Sequence, residues 1–310
     1  MHFSLNKHFN AVIFIVFSSV IPLFVPASMA SEEVMHIHFQ LDKYTQPIAN
    51  LKIDGKDEKF LIDIGSSDAL HLSEKMMSEI PGLVIAPEKA RSTNTIGQVF
   101  LKDKFNIPQL SINGMIFKDI SGVSFTPWAV NLSQDGNHQT DNSSLASMVI
   151  GLDLFKGKAV LIDYKGQRLS VSDHLQGLGV NVSDGWIKLP LRDTQEGLAV
   201  KVSHNANSYN MILDTGASSS FFWKERLKSS PVNLSCKVMF KHADNDECEV
   251  STFQFDEEGA RGVTLNAVLF DGKSVQLNAD GLIGNNFFSE YAVLIDFSGK
   301  KLFIKHNSQG

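Results

Sequence analysis

Long apolar runs are almost absent from this 310-residue sequence. The one exception, Ala11–Val25, follows Lys7, contains Pro22 and is shorter than the roughly 20 residues that a membrane-spanning helix needs. Small residues then lead to Ala30, which gives the layout of a secretory signal peptide. We therefore predict a signal peptide over residues 1–30, export to the periplasm or the medium, and no stable membrane anchor. An uncleaved anchor is the weaker alternative.

Cysteine is equally scarce, since Cys236 and Cys248 are the chain's two examples. Neither follows the signal peptide directly, so a lipid anchor is not predicted. Their spacing matches no metal-binding motif, and neither stands beside a histidine as a nucleophile does. In an exported chain, two cysteines this close in sequence predict a disulfide that closes a hairpin loop, with two free thiols as the alternative.

The chain also lacks an excess of basic residues over acidic ones. The chain has 28 Lys and Arg residues against 34 Asp and Glu residues, which gives a net charge of −6 at pH 7. Removal of the signal peptide with Lys7 makes the chain one unit more negative. An acidic balance argues against nucleic acid and against an anionic membrane surface as partners.

Several catalytic and cofactor motifs are missing as well. There is no G-x-S-x-G nucleophile elbow and no H-E-x-x-H zinc motif. His36 and His38 share one face of a strand but have no third ligand near them, so a solvated pair is the favoured interpretation and no metal site is predicted. The GKS at residues 272–274 resembles the end of a phosphate-binding loop, but Ala267 occupies the position of the required glycine. We therefore predict no bound nucleotide.

What the chain does contain is an internal repeat. FLIDIGSSDALHL at Phe60–Leu72 resembles MILDTGASSSFFW at Met211–Trp223. A later pair of segments, Met148–Val171 and Gly281–Ile304, also match and keep the same separation between a glycine and an aspartate. Matching order and spacing make chance a poor explanation.

The repeat divides the mature chain into two β-rich lobes. In each copy, alternating strands joined by a Gly- or Asn-rich turn lead into an aspartate, which is typical of a β-hairpin. We predict an N-terminal lobe over residues 31–175, a linker over residues 176–182 and a C-terminal lobe over residues 183–310. The linker is polar and bears glycine.

Asp63 and Asp214 occupy equivalent places in the two copies. A D-x-G triplet alone is weak evidence, because most such triplets only reverse the chain. These two aspartates differ because each ends an apolar strand, where burial of an unpaired carboxylate costs several kcal/mol. If the lobes pack about a pseudo-twofold axis, two equivalent acids on equivalent loops meet at that axis.

These residues resemble the two active-site halves of aspartic peptidases of the retropepsin and pepsin type, and the short lobes resemble bacterial retropepsin-like domains, two in one chain. The resemblance rests on DIGSS and DTGAS, each followed downstream by an apolar-apolar-glycine triplet, Val149–Gly151 and Leu282–Gly284. It implies an all-β, mainly β fold of two pseudo-symmetric acid-protease-type β-barrel lobes with short helices. In that family the downstream glycine lets its strand pack closely against the acid loop.

The same resemblance assigns roles to individual residues. Asp63 and Asp214 are expected to be catalytic and to share one proton, because two carboxylates about 3 Å apart cannot both ionise cheaply. A water held between them would hydrolyse a peptide or protein bound in extended conformation, with no metal and no organic cofactor. The acid loops are expected to be shaped by Gly65, Ser66, Thr215, Gly216 and Ala217.

A flap is the next expectation from the family. Ser92–Phe100 contains the turn residues for a hairpin that covers the cleft, with Thr95, Ile96 and Gly97 as the flap candidates. An ordinary surface hairpin explains the same residues equally well.

One residue departs from the family pattern. Ile64 stands where the family has threonine, whereas Thr215 fits, so one of two hydroxyls that brace the acid loops is missing. The favoured function is an aspartic endopeptidase. The alternative is a catalytically inactive peptide-binding module on the same fold, and a structural envelope domain would leave the paired acids unexplained. In each case we expect a monomer.

Overall fold

A computed structural model describes residues 34–93, 99–126, 147–229, 249–256, 258–271 and 277–307. Several features predicted from the sequence lie outside the described residues and stay predictions. They are the signal peptide over residues 1–30, the flap candidates Thr95, Ile96 and Gly97, and the disulfide between Cys236 and Cys248.

The described chain is built mainly from β-strands. The first half contains β1 (Met35–Leu41), β2 (Pro47–Ile53), β3 (Lys56–Asp63), β4 (Leu70–Leu72), β5 (Val84–Thr93), β6 (Val99–Ile112), β7 (Met115–Ser124), β8 (Met148–Gly151), β9 (Ala159–Asp163) and β10 (Arg168–Ser172). The second half contains β11 (Ile187–Pro190), β12 (Arg192–Thr194), β13 (Gly197–His204), β14 (Asn207–Leu213), β15 (Phe221–Trp223), β16 (Val250–Phe255), β17 (Thr264–Phe270), β18 (Gly281–Ile283), β19 (Tyr291–Asp296) and β20 (Lys301–His306).

Helices are short. They are α1 (Glu74–Glu79), α2 (Asn285–Glu290) and 3-10 turns at Leu152–Phe155, Leu175–Leu178, Lys224–Arg226 and Glu258–Ala260. The Ser73 hydroxyl caps α1 by accepting the Met76 N–H at 3.2 Å, as the first turn of a helix requires. Among the described residues, no helix has the length and apolar character to cross a bilayer.

Six strands of the first half close into a barrel, here called the first barrel. Their order is β2-β3-β8-β4-β7-β6, and the pairing of Ile53 with Ile112 joins β2 back to β6. In β1 and β2 almost every second residue is buried, which is the pattern of a strand with one face on a core. β3 and β8 run parallel, so the acid-bearing strand lies directly beside the strand that ends in Gly151.

The second barrel repeats this arrangement. Its order is β13-β14-β18-β15-β17-β16, and the pairing of Val202 with Phe255 joins β13 back to β16. Each pair of neighbouring strands has the same relative direction as its counterpart in the first barrel, including the parallel pair β14–β18. The sequence repeat is therefore a repeat of topology, and the predicted mainly β fold is confirmed.

A third layer joins the two barrels. β11, β20, β19, β9, β10 and β1 form one continuous sheet segment, in which β19 from the second half pairs with β9 from the first. Leu294 pairs directly with Leu161 in this ladder. Leu161 stands two residues before Asp163, as Leu294 stands two residues before Asp296, so these leucines are equivalent in the repeat. The pseudo-twofold axis therefore passes between them.

The apolar core is also continuous between the halves. One cluster of buried side chains includes residues of both barrels and of the shared sheet. Tyr164 of the first half packs against Phe39 and Phe288, with ring centroids 5.3 and 5.5 Å apart. Shared apolar packing and a shared sheet together fix the position of one acid loop relative to the other.

Candidate active site

The first acid loop begins where β3 ends. Asp63 pairs with Gly151 of β8, and the chain then turns away from the sheet. The Asp63 Oδ1 atom accepts the backbone N–H groups of Gly65 at 2.9 Å and Ser66 at 3.2 Å. These bonds hold the carboxylate against its own loop, and its side chain is almost fully buried, with the residue 9% exposed.

The second acid loop has the same construction. The Asp214 N–H donates to the Ile283 carbonyl at 2.9 Å, which extends the β14–β18 pairing by one residue. The Asp214 Oδ1 atom accepts the N–H groups of Gly216 at 2.8 Å and Ala217 at 3.1 Å. The two carboxylates are therefore held by equivalent pairs of backbone donors.

The two downstream glycines lie against the acid loops. A Cβ atom on Gly151 would lie 2.8 Å from the Ser66 carbonyl oxygen, and one on Gly284 would lie 2.7 Å from the Ala217 carbonyl oxygen. Real Cβ atoms do not approach oxygen this closely, so both positions require a residue without a side chain. The close packing that the sequence predicted for these glycines is present.

The acids meet at the interface of the barrels. A Cβ atom on Gly65 would lie 2.8 Å from Asp214 Oδ2, and one on Gly216 would lie 2.7 Å from Asp63 Cγ. Each acid therefore packs against the glycine of the opposite loop, and the two carboxyl groups are close enough to shift each other's pKa.

The surroundings shift the pKa values of both carboxyl groups. Burial raises the pKa of Asp63, while the hydrogen bond with Asp214 and the N–H groups of Gly65, Ser66 and Gly216 lower it. Burial, the Asp63 charge and the hydrogen bond between the acids raise the pKa of Asp214 well above its usual value. The pKa values of both carboxyl groups are raised, so the two acids hold one proton as a pair.

The Thr215 side chain links the second acid loop to the first. Its buried hydroxyl donates to the Ile62 carbonyl at 2.7 Å and accepts the Ile64 N–H at 3.0 Å. Ile64 is fully buried in the apolar core and has no hydroxyl to return the contact. Of the two side-chain hydroxyls that the family resemblance led us to expect between the acid loops, only that of Thr215 is present.

A polar cluster behind the first acid was missed by the sequence analysis. His71 Nε2 lies 2.8 Å from Ser66 Oγ and 3.4 Å from Asp68 Oδ2, while Nδ1 has no hydrogen-bond partner among the described residues. Protonation at Nε2 fits this arrangement, since both neighbours of that atom accept hydrogen bonds. One sequence observation points to this cluster. Phe222 occupies the position of His71 in the second copy of the repeat, so a histidine stands where the repeat has an apolar residue.

A buried lysine completes this cluster. Lys102 on β6 is 3% exposed, and burial lowers its pKa while the charges of Asp68 and Asp63 raise it. Burial and then the Lys102 charge lower the pKa of His71 to about 3, so the imidazole is neutral at ordinary pH. The first acid therefore has a cation in its neighbourhood.

The structure also bears on cofactors. Among the described residues, no group of three or more His, Cys, Asp or Glu side chains is placed to hold a metal ion. His36 Nδ1 lies 2.9 Å from Ser170 Oγ, a contact within the shared sheet. The reactive groups of the site are the two carboxyl groups and the backbone around them.

The solved structures that are similar to this fold include an aspartic proteinase and a seed globulin. An aspartic proteinase from Irpex lacteus matches with a TM-score of 0.52 and 11% sequence identity, over 89% of this chain and 98% of the proteinase. Basic 7S globulin from soybean matches with a TM-score of 0.49 and 12% identity, over 89% of this chain and 96% of the globulin. A scan against protein-family models and a search of curated proteins gave no match.

At 11% identity, the likeness to the proteinase carries the fold alone. That likeness does not favour a retropepsin over other acid proteases, so the finer resemblance stays a prediction, as do the lobe boundaries at residues 175 and 183. Together with the two barrels described above, the comparison confirms the fold class: this chain has the acid-protease-type all-β fold.

Proposed function

We propose that this protein is an aspartic endopeptidase, with Asp63 and Asp214 as its catalytic residues. The observation that carries the proposal is the pair of carboxyl groups on equivalent loops, each of which packs against the glycine of the opposite loop. Burial of two acids together is costly, and the two loops dedicate four backbone N–H groups to holding them in place. Such an arrangement fits a site that needs one base and one acid side by side.

The proposed mechanism needs one proton on the pair, and we place that proton on Asp214. Ionised Asp63 removes a proton from a water molecule as its oxygen attacks the carbonyl carbon of the scissile bond. Protonated Asp214 donates its proton to the carbonyl oxygen, which gives a neutral tetrahedral diol. Collapse of the diol breaks the C–N bond, and the proton taken up by Asp63 passes to the departing amine. The hydroxyl proton then returns to Asp214, so the pair regains its single proton.

The substrate class follows from the position of the site. An extended peptide would lie between the barrels and be held by main-chain hydrogen bonds, in the manner of an added strand. The acidic net charge, −6 for the whole chain, gives no support for a nucleic-acid substrate. We propose a monomer that is exported by its signal peptide and acts in the periplasm or the medium.

The test is cleavage of a diverse peptide mixture by the purified mature protein at acidic to neutral pH. Asp63→Asn and Asp214→Asn should each abolish cleavage, and the double variant should be little worse than either, because the two groups act as one unit. Asp57→Asn, an exposed change on the same strand as Asp63, is the matched control and should keep full activity. Near-normal turnover in either single variant would contradict the proposal.

A further inference from the structure

The turn between β1 and β2 is ordered by a side chain of its own. Asp42 Oδ1 accepts the backbone N–H groups of Tyr44 and Gln46, each at 2.8 Å. Thr45 between them has a φ of 63°, a left-handed conformation that a β-branched residue seldom adopts. The turn is thus held in an unfavourable conformation by local hydrogen bonds, which presents the next side chains in a fixed direction.

The side chains of this turn reach the second acid loop. The Gln46 amide donates through Nε2 to the Gly216 carbonyl. Because the partner is a carbonyl oxygen, the amide nitrogen must be the atom that faces it. The Thr45 hydroxyl lies 3.2 Å from the Ser218 carbonyl, but it has a single proton and also contacts the Tyr44 carbonyl. Gln46 is therefore the principal contact between this turn and the loop.

The contact acts on the peptide unit that holds Asp214. The Gly216 carbonyl and the Ala217 N–H belong to one planar peptide group, and that N–H donates to Asp214 Oδ1 at 3.1 Å. A donor on the carbonyl side fixes the plane of the group and polarises it, which strengthens the bond on the N–H side. Gln46 thus influences Asp214 without touching it.

The first acid loop has a different support. The Thr215 hydroxyl bonds to the backbone on both sides of Asp63, whereas Ile64 cannot return the contact. In the second half, the turn between β12 and β13 carries Glu196, whose carboxylate accepts the N–H groups of Asn278 and Ala279 within its own half. Gln46, a residue of the first half, therefore supports the acid loop of the second half. Among the described residues, the β12–β13 turn makes no equivalent contact with the first acid loop.

We propose that Gln46 is a positioning residue for Asp214. By its hydrogen bond to the Gly216 carbonyl, Gln46 supports the second acid loop from the first half of the chain and so takes the place of the threonine hydroxyl that is missing at residue 64. The proposal deepens the proposed peptidase function and rests on it for its effect on rate. Its structural part, that Gln46 orders the Gly216–Ala217 peptide unit, is independent of catalysis.

The rate test compares Gln46→Leu with the exposed control Gln40→Leu on β1. Gln46→Leu should lower kcat about tenfold and change KM less than about twofold, because the side chain positions a catalytic group and is not expected to contact substrate. Gln46→Glu should approach wild-type activity at the acidic end of the pH range, where a protonated carboxyl can donate to Gly216, and fall below it as the side chain ionises. An equal loss in Gln40→Leu, or a higher rate in Gln46→Leu, would overturn the proposal.

A second measurement is independent of activity. In Gln46→Leu, NMR-detected amide hydrogen exchange at Ala217 should become about tenfold faster relative to wild type, with no change at Ser66 in the first loop. Unchanged exchange at Ala217 would overturn the proposal, as would equal acceleration in both loops. If the wild-type protein cleaves no peptide while Ala217 responds as expected, the proposed function fails and the positioning role stands.

Discussion

Thr215→Val isolates the hydrogen bonds by which one side chain joins the two halves. Valine has nearly the shape of threonine but has no hydroxyl, so the change leaves the Ile62 carbonyl and the Ile64 N–H without their partner. Both groups belong to residues that are at most 1% exposed, so water does not replace the hydroxyl. A buried unpaired group costs about 1–3 kcal/mol, so we expect the free energy of unfolding to fall by about 2–5 kcal/mol.

A loss of that size is measurable, because the total stability of a domain is about 5–15 kcal/mol. Urea unfolding of the wild-type protein and of Thr215→Val gives the difference directly. Thr215→Ser is the control, since it keeps the hydroxyl and loses one methyl group, worth about 1 kcal/mol. A Val variant within about 0.5 kcal/mol of wild type, or a Ser variant as unstable as the Val variant, would refute the assigned role of the hydroxyl.

Three further predictions concern the acids and their loops. Because the pKa of Asp214 is higher in the folded than in the unfolded protein, its contribution to stability should be complete below the unfolded pKa of about 3.9 and be lost as pH rises through the folded pKa. Urea unfolding across this range should show that loss, and Asp214→Asn should reduce it to the share that comes from Asp63, whose pKa is also raised by burial. Gly284→Ala should lower both stability, by about 1–3 kcal/mol, and peptide cleavage, because its Cβ meets acid-loop carbonyls, whereas a Cβ on Gly259 meets only Ile187 Cγ2 at 3.9 Å, an ordinary contact, so Gly259→Ala should be neutral in both assays. Ile64→Thr should raise turnover by adding a hydroxyl that bonds to the opposite loop, and should lower the melting temperature because an apolar core residue is lost. An unchanged cleavage rate would mean that other contacts, such as the packing of Ile64 or the Gln46 hydrogen bond, already hold the loops without this hydroxyl.

The sequence repeat predicted the features that depend on local pattern. An apolar strand that runs into an aspartate and then a glycine describes the end of β3 in one barrel and of β14 in the other. The resemblance to aspartic peptidases placed the downstream Gly151 and Gly284 against these loops, and in the structure neither position has space for a side chain. Equivalent segments imply equivalent topology, which is why the two barrels share one strand order.

Contacts that break the repeat could not be predicted in this way. Gln46 bonds to a carbonyl 170 residues away, and nothing in the local pattern of a turn specifies so distant a partner. The pairing of β9 with β19 likewise depends on how two finished barrels pack together. His71 and Lys102 are buried polar side chains on separate strands, β4 and β6, and no local pattern specifies that they lie near each other.

The differences between the two acid loops have a consequence for where the proton resides. In an assembly of two identical chains, a proton shared by two equivalent carboxyl groups has two placements of equal energy, and half of the molecules hold it on either side. Here the halves are covalently joined, so Ile64 faces Thr215 and His71 corresponds to Phe222, each once per molecule. The two placements then differ in energy, so the proton favours one carboxyl group, and a bound peptide meets two chemically distinct acids in a fixed order along its length.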